Sequence, residues 1–310
     1  MNIIKRKIFG KYIFLSKNDP GISQTLKKKI FFRKWHREPE FMDIISENIN
    51  ENETVCDLGA NIGYATLLMN NKVGLNGKII AIEPSESNYK LLKKTINENK
   101  INHKVKLLHK AVSNYNGTTT FYLTKESNLN SLHKNKHSIK RTNIECITLD
   151  TVMEKFGKFS FVKMDIEGGE LEALEGASKI IEDTSIKIKF LIEIHPMYFD
   201  KQKFKKILKK MFLNKFVPKY LISAGVSNPD FLKEKKFKPK KIYATGDFKR
   251  GVFENIDENT FINACCEDHS QIVNITLVGK IKKILKNPLN FRNFKFKSNK
   301  IVRSIYLERI

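Results

Sequence analysis

From residue 54 onward the sequence alternates between short apolar runs and longer amphipathic stretches. This alternation is typical of a mostly parallel β-sheet with helices on both faces. The predicted strands are Thr54–Leu58, Lys78–Glu83, Val105–Ala111, Phe159–Asp165 and Lys187–His195. The predicted helices are Gly63–Met69, Ser85–Glu98, Glu170–Glu182 and Asp200–Leu213. We therefore expect a doubly wound α/β domain.

The remaining segments give weaker signals. Gly117–Leu123 predicts an extra β element and Tyr220–Ala224 a further strand, whereas the polar segment Lys125–Thr142 predicts a mobile loop over an active site. Beyond about residue 270 the periodicity fades, and we expect a helical appendage or partial disorder there. The resulting domain prediction is a basic N-terminal extension, a central domain and a basic C-terminal extension, over residues 1–38, 39–260 and 261–310.

The most specific motif is VCDLGANIG, from Val55 to Gly63, in which an apolar strand enters a glycine turn and then a helix. Gly59 and Gly63 let the backbone turn tightly and approach a ligand, while the helix start offers unpaired N–H groups. A dinucleotide site would have a glycine in place of Asn61 to admit the pyrophosphate. Asp57, at the end of a buried strand, instead suits a ligand with an ammonium or sulfonium group.

The next predicted strand ends at Glu83, before Pro84. An acid at this position captures ribose hydroxyls in nucleoside-binding folds of this type. Each acid also has a simpler explanation, since Asp57 can cap the following turn and Glu83 the helix at Ser85. Both acids together, at consecutive strand ends around a glycine turn, predict a nucleoside cofactor site.

Four motifs carry a resemblance to a known family. They are DLGANIGY at Asp57–Tyr64, IEP at Ile82–Pro84, KMDIEGGE at Lys163–Glu170 and IEIHP at Ile192–Pro196. In this order they resemble the successive motifs of FkbM-type methyltransferases, over roughly residues 36–200 and more weakly to about residue 260. Arg37–Glu40 and Ala111–Ser113 fit the same pattern.

The resemblance implies a Rossmann-like class I methyltransferase fold, S-adenosylmethionine as methyl donor, and usually a hydroxyl acceptor on a sugar, lipid or secondary metabolite. It also implies that Ala111, Val112 and Ser113 lie near the adenine. We therefore predict O-methylation of a glycan, glycolipid or small metabolite. The predicted cofactor-binding residues are Asp57, Gly59, Ala60, Asn61, Gly63, Tyr64, Glu83, Pro84, Ser85, Ala111, Val112, Ser113 and Asp165.

The predicted reaction centre lies at the ends of the fourth and fifth strands, where Asp165 and Glu167 are two residues apart, as are Glu193 and His195. Each pair points to one face of an extended chain, at the sheet edge that binds ligands. Methyl transfer mainly requires that the acceptor oxygen be aligned and its proton removed. Because neutral imidazole is well matched to this near pH 7, we predict His195 as the general base or acceptor-orienting residue. Asp165 would position the acceptor or the methionyl end of the donor, and Glu167 is our second choice of base.

These assignments have alternatives that the sequence leaves open. Glu167 and Glu170 can complement the dipole of a helix that begins there, and His195 can simply end its strand before Pro196. The carboxylates and the histidine could also bind Mg²⁺ or another oxygen-preferring divalent ion, which we do not favour.

The formal net charge is +24, from 57 Lys and Arg against 33 Asp and Glu, and the excess is concentrated towards the ends of the chain. The basic, aromatic run Phe291–Lys297 would suit an RNA methyltransferase acting on ribose. An Asn/Asp-Pro-Pro-Tyr/Phe motif, typical of enzymes that methylate base amino groups, is missing after the fourth strand. The other alternative is a non-enzymatic nucleoside-fold module, held at an anionic membrane by the basic ends.

The N-terminus has neither an uninterrupted apolar core nor a small-residue cleavage site, and the sequence contains no run of about 18 apolar residues. The four cysteines have neither zinc-site spacing nor a disulfide framework. We expect a cytoplasmic protein that can contact the inner face of the membrane through its basic ends.

Overall fold

The computed structural model describes residues 2–27, 37–245, 248–275, 281 and 295–310. The strands are β1 (Ile3–Ile8), β2 (Lys11–Ser16), β3 (Thr54–Leu58), β4 (Lys78–Ile82), β5 (Val105–Leu108), β6 (Ala111–Val112), β7 (Gly117–Thr124), β8 (Ser138–Ile147), β9 (Phe161–Met164), β10 (Ile188–Glu193), β11 (Val217–Ser223), β12 (Lys241–Thr245), β13 (Phe248–Phe253), β14 (Gln271–Asn274), β15 (Lys295–Ser298) and β16 (Val302–Arg309). The helices are α1 (Ile22–Lys27), α2 (Pro39–Asn48), α3 (Tyr64–Lys72), α4 (Glu86–Glu98), α5 (Leu149–Phe156), α6 (Glu170–Glu175), α7 (Ser178–Glu182), α8 (Lys201–Leu213), α9 (Asp230–Glu234) and α10 (Glu258–Cys266), with a 3₁₀ turn at Ser127–Leu129.

The centre of the fold is a nine-stranded sheet in the order β12-β13-β11-β16-β10-β9-β3-β4-β5. Strands β10, β9, β3, β4 and β5 pair in parallel. Successive residues of a strand point to opposite faces, so Phe161 and Val162 enter two different buried apolar clusters. The doubly wound, Rossmann-like α/β architecture is confirmed, because a mostly parallel sheet must be covered on both faces.

Strand β16 comes from the C-terminal segment and lies between β10 and β11, antiparallel to both. Its residues Ile305, Tyr306 and Leu307 are fully buried. Our expectation of a helical appendage or partial disorder beyond about residue 270 is wrong for this strand, since a single apolar run after a basic stretch shows no period. The boundary at residue 260 therefore does not separate β16 from the central sheet.

Near the N-terminus, β1 and β2 form an antiparallel hairpin that packs on α4. The backbone N–H of Phe14 donates to Oγ1 of Thr95 at 3.1 Å. Most of the segment that we expected to be an extension is therefore attached to the central domain. Residues 28–36, like residues 291–294 of the basic aromatic run, lie outside the described part of the chain.

Two other predictions need correction. The segment predicted as a loop to Thr142 already enters β8 at Ser138, and its first part is fixed by Ser131, which pairs with Tyr122 of β7. The predicted helix Glu170–Glu182 is divided into α6 and α7. The division occurs at Gly176, where a Cβ would lie 2.2 Å from the carbonyl oxygen of Ser113.

Within the described residues, the helices are too short or too polar to cross a membrane.

Candidate cofactor and active site

The turn between β3 and α3 brings its backbone close to neighbouring strand ends. Gly59 has a φ of 68°, and a Cβ there would lie 2.0 Å from the carbonyl oxygen of Asp165. Asn61 (φ 51°) and Gly63 (φ 99°) are also left-handed, a conformation that glycine and, less readily, asparagine adopt. The N–H of Asn61 donates to Oε2 of Glu83 at 2.8 Å. The turn is therefore held against the ends of both β4 and β9.

Asp57 is fully buried beneath this turn. Its Oδ2 accepts from Oγ1 of Thr66 at 2.6 Å, and its Oδ1 lies 3.0 Å from Nζ of Lys163. Lys163 lines the cavity described below, whereas Asp57 does not. This arrangement does not support our expectation that Asp57 faces an ammonium or sulfonium, because an internal cation already pairs with its carboxylate.

Glu83 combines the two roles that the sequence left open. Its Oε1 accepts from the N–H of Ser85 at 2.9 Å, so it fixes the start of α4, and its Oε2 accepts from Asn61. Burial raises the pKa of Glu83 to about 7, against the lowering effect of these hydrogen bonds. Glu83 and Pro84 line the cavity, whereas Ser85 acts through its backbone.

A cavity of about 90 Å³ lies at the carboxyl ends of β3, β4 and β9. The predicted residues that line it are Gly59, Ala60, Asn61, Tyr64, Glu83, Pro84, Asp165 and Glu167. Two further lining residues, Ser127 and Asn128, come from the 3₁₀ turn after β7. Oδ1 of Asn61 and Oγ of Ser127 are buried and have no hydrogen-bond partner among the described residues. Unpaired buried polar atoms beside a cavity are groups that a ligand can satisfy.

A narrow apolar slot adjoins this cavity and shares Gly59, Pro84, Phe121 and Ile166 with it. Its other apolar lining residues are Ile82, Ala111, Val112 and Leu132. Two of the three residues expected near the adenine, Ala111 and Val112, therefore lie in the slot. Ser113 does not line it, and its N–H donates to the carbonyl oxygen of Ile147.

His195 lies beside the cavity and is surrounded by carboxylates. Its Nε2 is 3.3 Å from Oε2 of Glu167 and 3.1 Å from Oε1 of Glu193, while its Nδ1 is 3.0 Å from Oε1 of Glu170. The histidine is only 6% exposed and is not part of the cavity lining. The structure thus brings the predicted reaction-centre residues together, with Glu167 and Asp165 facing the cavity and His195 behind them.

The protonation state of His195 follows from these contacts. Burial alone would lower the pKa of His195. The charges of Glu170 and Glu167 and the hydrogen bonds to Glu170 and Glu193 outweigh this effect and raise the pKa well above its usual value. Burial alone would raise the pKa of Glu193, whereas Arg303 and His195 hold it far below its usual value. His195 is therefore an imidazolium near pH 7, which conflicts with its predicted role as a neutral base.

Asp165 and Glu167, the two acids that face the cavity, have raised pKa values, whereas the pKa of Glu193 is lowered. Burial raises the pKa of Glu167 to about 8, although His195 opposes this. Burial and the charge of Glu193 raise the pKa of Asp165 to about 6. Glu167 is held in a left-handed conformation (φ 52°), and its carbonyl oxygen accepts from Oγ of Ser131 at 2.6 Å. The loop after β7 thus fixes a carboxyl group that can take up a proton near neutral pH.

Four charged lining residues were not predicted as site residues: Arg37, Glu38, Lys163 and Arg303. Arg303 on β16 forms ion pairs with Glu38, at 3.1 Å, and with Glu193. Glu38 precedes α2 and also contacts Arg37 at 3.4 Å. Arg37 and Glu38 fall in a segment that fits the family resemblance, whereas no motif marked Arg303.

Among the residues that the structure describes, two sets of side chains have ligand atoms within 4.8 Å of one another and could hold a metal ion. One set is Asp165, Glu167 and His195, and the other is Glu38, Asp165 and Glu193. In the first set His195 already contacts Glu167, and in the second Arg303 already contacts both glutamates. These internal cations supply the positive charge that a metal would bring, so we do not include a metal in the function proposed below.

The central sheet defines a Rossmann-like protein, and its cavity lies at the carboxyl edge, where ligands bind in folds of this type. The family model for the methyltransferase FkbM domain matches residues 57–218, just over half of the chain. The chain therefore belongs to the FkbM family of S-adenosylmethionine-dependent methyltransferases.

Similar solved structures include a methyltransferase FkbM from Methylobacillus flagellatus KT, with 16% identity and a TM-score of 0.40. That match covers 65% of this chain and 43% of the other, so this chain spans less than half of that protein's length. An S-adenosylmethionine-dependent O-methyltransferase from Thermotoga maritima has 13% identity and a TM-score of 0.39, with coverage of 82% and 78%. An S-adenosylmethionine-dependent methyltransferase from Aquifex aeolicus has 15% identity and a TM-score of 0.32, and the match covers 70% of this chain and 89% of the other. The curated proteins include no significant match.

Proposed function

We propose that this methyltransferase transfers a methyl group to a hydroxyl of a glycan, glycolipid or small metabolite. The observation that carries the proposal is one cavity with Glu83 on one side and Asp165 and Glu167 on another. The first acid suits ribose hydroxyls, and the other two face the space where an acceptor must meet the methyl group.

The lining residues fit S-adenosylmethionine. Each oxygen of Glu83 accepts one backbone N–H and has a further lone pair for a ribose hydroxyl. The slot beside Ala111 and Phe121 offers apolar side chains that can contact the flat face of an adenine. When bound, S-adenosylmethionine supplies an activated methyl group on a positively charged sulfur, which the acid-rich side of the cavity can stabilise.

We assign the proton-accepting role to Glu167. It lines the cavity, and its pKa of about 8 allows it to receive a proton from a hydroxyl and release it to water. His195, as an imidazolium at 3.3 Å, orients the Glu167 carboxylate and stabilises its ionised form. Asp165 is assigned to positioning of the acceptor or of the methionyl end of the donor.

The acceptor class rests on the family resemblance and on the uncharged polar lining near the 3₁₀ turn. Asn88, Ser127, Asn128 and Asn130 offer amide and hydroxyl groups there, which suit an acceptor that is itself rich in hydroxyls. An RNA ribose would also offer a hydroxyl, so RNA is included among the acceptors to be tested.

Calorimetric titration with S-adenosylmethionine and S-adenosylhomocysteine tests the cofactor site. Hydrogen bonds to a charged group are worth about 1.5–3 kcal/mol each, so Glu83→Gln is expected to weaken binding at least about tenfold. The matched control is Glu86→Gln, because Glu86 is exposed and pairs with Lys90 on α4. A folded wild-type protein that binds neither compound, or equal binding by Glu83→Gln, would contradict the assigned site.

A transfer assay with labelled methyl donor then separates the acceptor classes. Oligosaccharides, glycolipids, small hydroxylated metabolites and RNA are compared at equal hydroxyl concentration. Transfer to RNA alone would refute the proposed acceptor class but keep the cofactor site.

Contact with an anionic membrane is a second, separable part of the proposal. Ile272 on β14 is 57% exposed and lies opposite Lys297 of β15, so it shares one face of this strand pair with the exposed Lys295 and Lys297. An apolar side chain among lysines suits the interface of an anionic bilayer.

A further inference from the structure

Lys163 occupies an unusual place for a lysine, since its side chain is only 6% exposed at the end of β9. Its Nζ donates to the carbonyl oxygens of Leu58, at 3.0 Å, and Gly59, at 2.8 Å. The same atom lies 3.0 Å from Oδ1 of Asp57. Three contacts fix the ammonium under the first two residues of the cofactor turn.

These contacts account for both buried charges. An ammonium has three donors, and here each has an oxygen within reach. Burial alone would lower the pKa of Lys163, but Asp57, Asp165 and Glu83 raise it, so the lysine stays protonated. Removal of Lys163 alone would leave Asp57 as an unpaired buried charge, which is strongly destabilising.

The ammonium also acts on Glu83, since both residues line the same cavity. The other groups that act on the Glu83 carboxylate are hydrogen-bond donors, namely the N–H groups of Asn61 and Ser85 and the side chain of Asn88. The charge that lowers the pKa of Glu83, against the larger effect of burial, is that of Lys163. Asp57 and Asp165 are the acids that act on Lys163 from the neighbouring strand ends.

We infer that Lys163 is a positioning residue of the cofactor site: it holds the Leu58–Gly59 turn through two carbonyl oxygens, and its charge at the same cavity favours the carboxylate form of Glu83 that accepts ribose hydroxyls. This inference rests on the proposed cofactor site. It assigns a ligand-binding consequence to a residue that does not itself need to contact the ribose.

The test measures the affinity for S-adenosylhomocysteine between pH 5.5 and 9. Affinity should fall as the pH drops through the pKa of Glu83, about 7 in the wild type, because a protonated carboxyl accepts ribose hydroxyls poorly. The double variant Asp57→Asn/Lys163→Met avoids a lone buried charge. Without the ammonium, the affinity should begin to decline at a higher pH. If the pKa of Glu83 rises by one unit, binding at lower pH becomes up to about tenfold weaker than in the wild type.

Asp57→Asn alone should shift the decline in the opposite direction, towards lower pH, because the charge of Lys163 is then no longer offset. Lys163→Arg keeps the charge and should leave the decline near its wild-type pH. In a Glu83→Gln background the affinity curves with and without the Lys163 ammonium should superpose, whatever pH dependence Asp165 and Glu167 contribute. Lys179→Met, on an exposed lysine of α7, is the surface control.

If the affinity falls at the wild-type pH in both Asp57→Asn and the double variant, the inference is overturned, even if the variants are less stable. That result would leave Lys163 as a structural residue and the cofactor site intact. Absence of binding by the folded wild type at every pH is a different result, which would remove the cofactor proposal and this inference with it.

Discussion

Glu167 differs from an ordinary surface glutamate because it is buried against other acids and contacts an imidazolium. Its pKa of about 8 means that it is mostly protonated at pH 7 and ionised above pH 8. If it accepts the proton of the acceptor hydroxyl, the methyl-transfer rate should rise with pH to a midpoint near 8. Glu167→Gln should lower kcat by about 10²–10⁴-fold and abolish this rise, with little change in S-adenosylhomocysteine affinity.

The matched control for this prediction is Glu175→Gln, at the end of α6, where the carboxylate accepts only from Asn114 on the surface. Its kcat should equal that of the wild type. A Glu167→Gln enzyme that keeps its rate and pH profile would return the base role to another group, and His195→Gln would then be the next variant.

The sequence predicted which polar residues meet at the site but not what each of them contacts. Asp57 and Glu83 each end a predicted strand, yet Lys163 pairs with the first, whereas the backbone N–H groups of Asn61 and Ser85 donate to the second. The role of His195 depends on Glu170, and its pair with Glu193 is shared with Arg303. Such contacts join residues far apart in the chain, so local spacing could not supply them.

The same limit applies to whole elements. The parallel strands β3, β4, β9 and β10 were predicted because each is a continuous apolar run that is buried on both faces. Strand β8 was missed because Lys140 and most of its other residues are exposed, so it shows little apolar signal. Strand β16 was missed because its burial is determined by β10 and β11 on either side.

Strand β16 should be essential for the stability of the sheet. Ile305 is fully buried and pairs with Ile192 of β10 and Leu221 of β11. Ile305→Ala is expected to lower the free energy of unfolding by about 2–5 kcal/mol, because it leaves a cavity in the apolar core on one face of the sheet. Denaturant unfolding measures this, with Ile310→Ala as control, since Ile310 is 79% exposed. Equal stability of the two variants would mean that β16 is not packed as described.

The attachment of the N-terminal segment to the site depends on Asp19. Its carboxylate accepts from the N–H groups of Gly21, Ser23 and Ser127, the last of which lies in the 3₁₀ turn beside the cavity. Burial alone would raise the pKa of Asp19, but these hydrogen bonds lower it. The stabilisation is therefore present above the unfolded-state pKa of 3.8 and is lost as the pH falls through the lower, folded-state value.

Asp19→Asn should lower the free energy of unfolding by about 1–3 kcal/mol at pH 7 and speed tryptic cleavage after Lys125. Asp183→Asn is the control, because Asp183 is exposed and bonds only to nearby Ser185. Unchanged cleavage in Asp19→Asn would show that the loop is held without this contact.

At the level of the whole molecule, the charge of +24 is unevenly placed, since the site itself is rich in acids and the basic excess lies mainly elsewhere. The positive charge attracts large anionic partners at a distance. Salt weakens this attraction, because the Debye length falls from about 10 Å at 0.1 M to about 3 Å at 1 M. Cofactor binding inside the cavity should be much less sensitive to salt. The two effects can therefore be separated by ionic strength.

The final prediction is that the protein sediments with phosphatidylglycerol vesicles at low salt, less at 0.5 M NaCl, and not with phosphatidylcholine vesicles. Ile272→Ser should weaken sedimentation, because it removes the exposed apolar side chain from the face that carries Lys295 and Lys297. Leu75→Ser is the matched control, since Leu75 is 89% exposed but lies in the loop before β4. Equal loss in both variants would indicate nonspecific adhesion. If the wild type stays in the supernatant at low salt, the membrane contact is refuted and the basic excess has no part in localisation, while the cofactor site is unaffected.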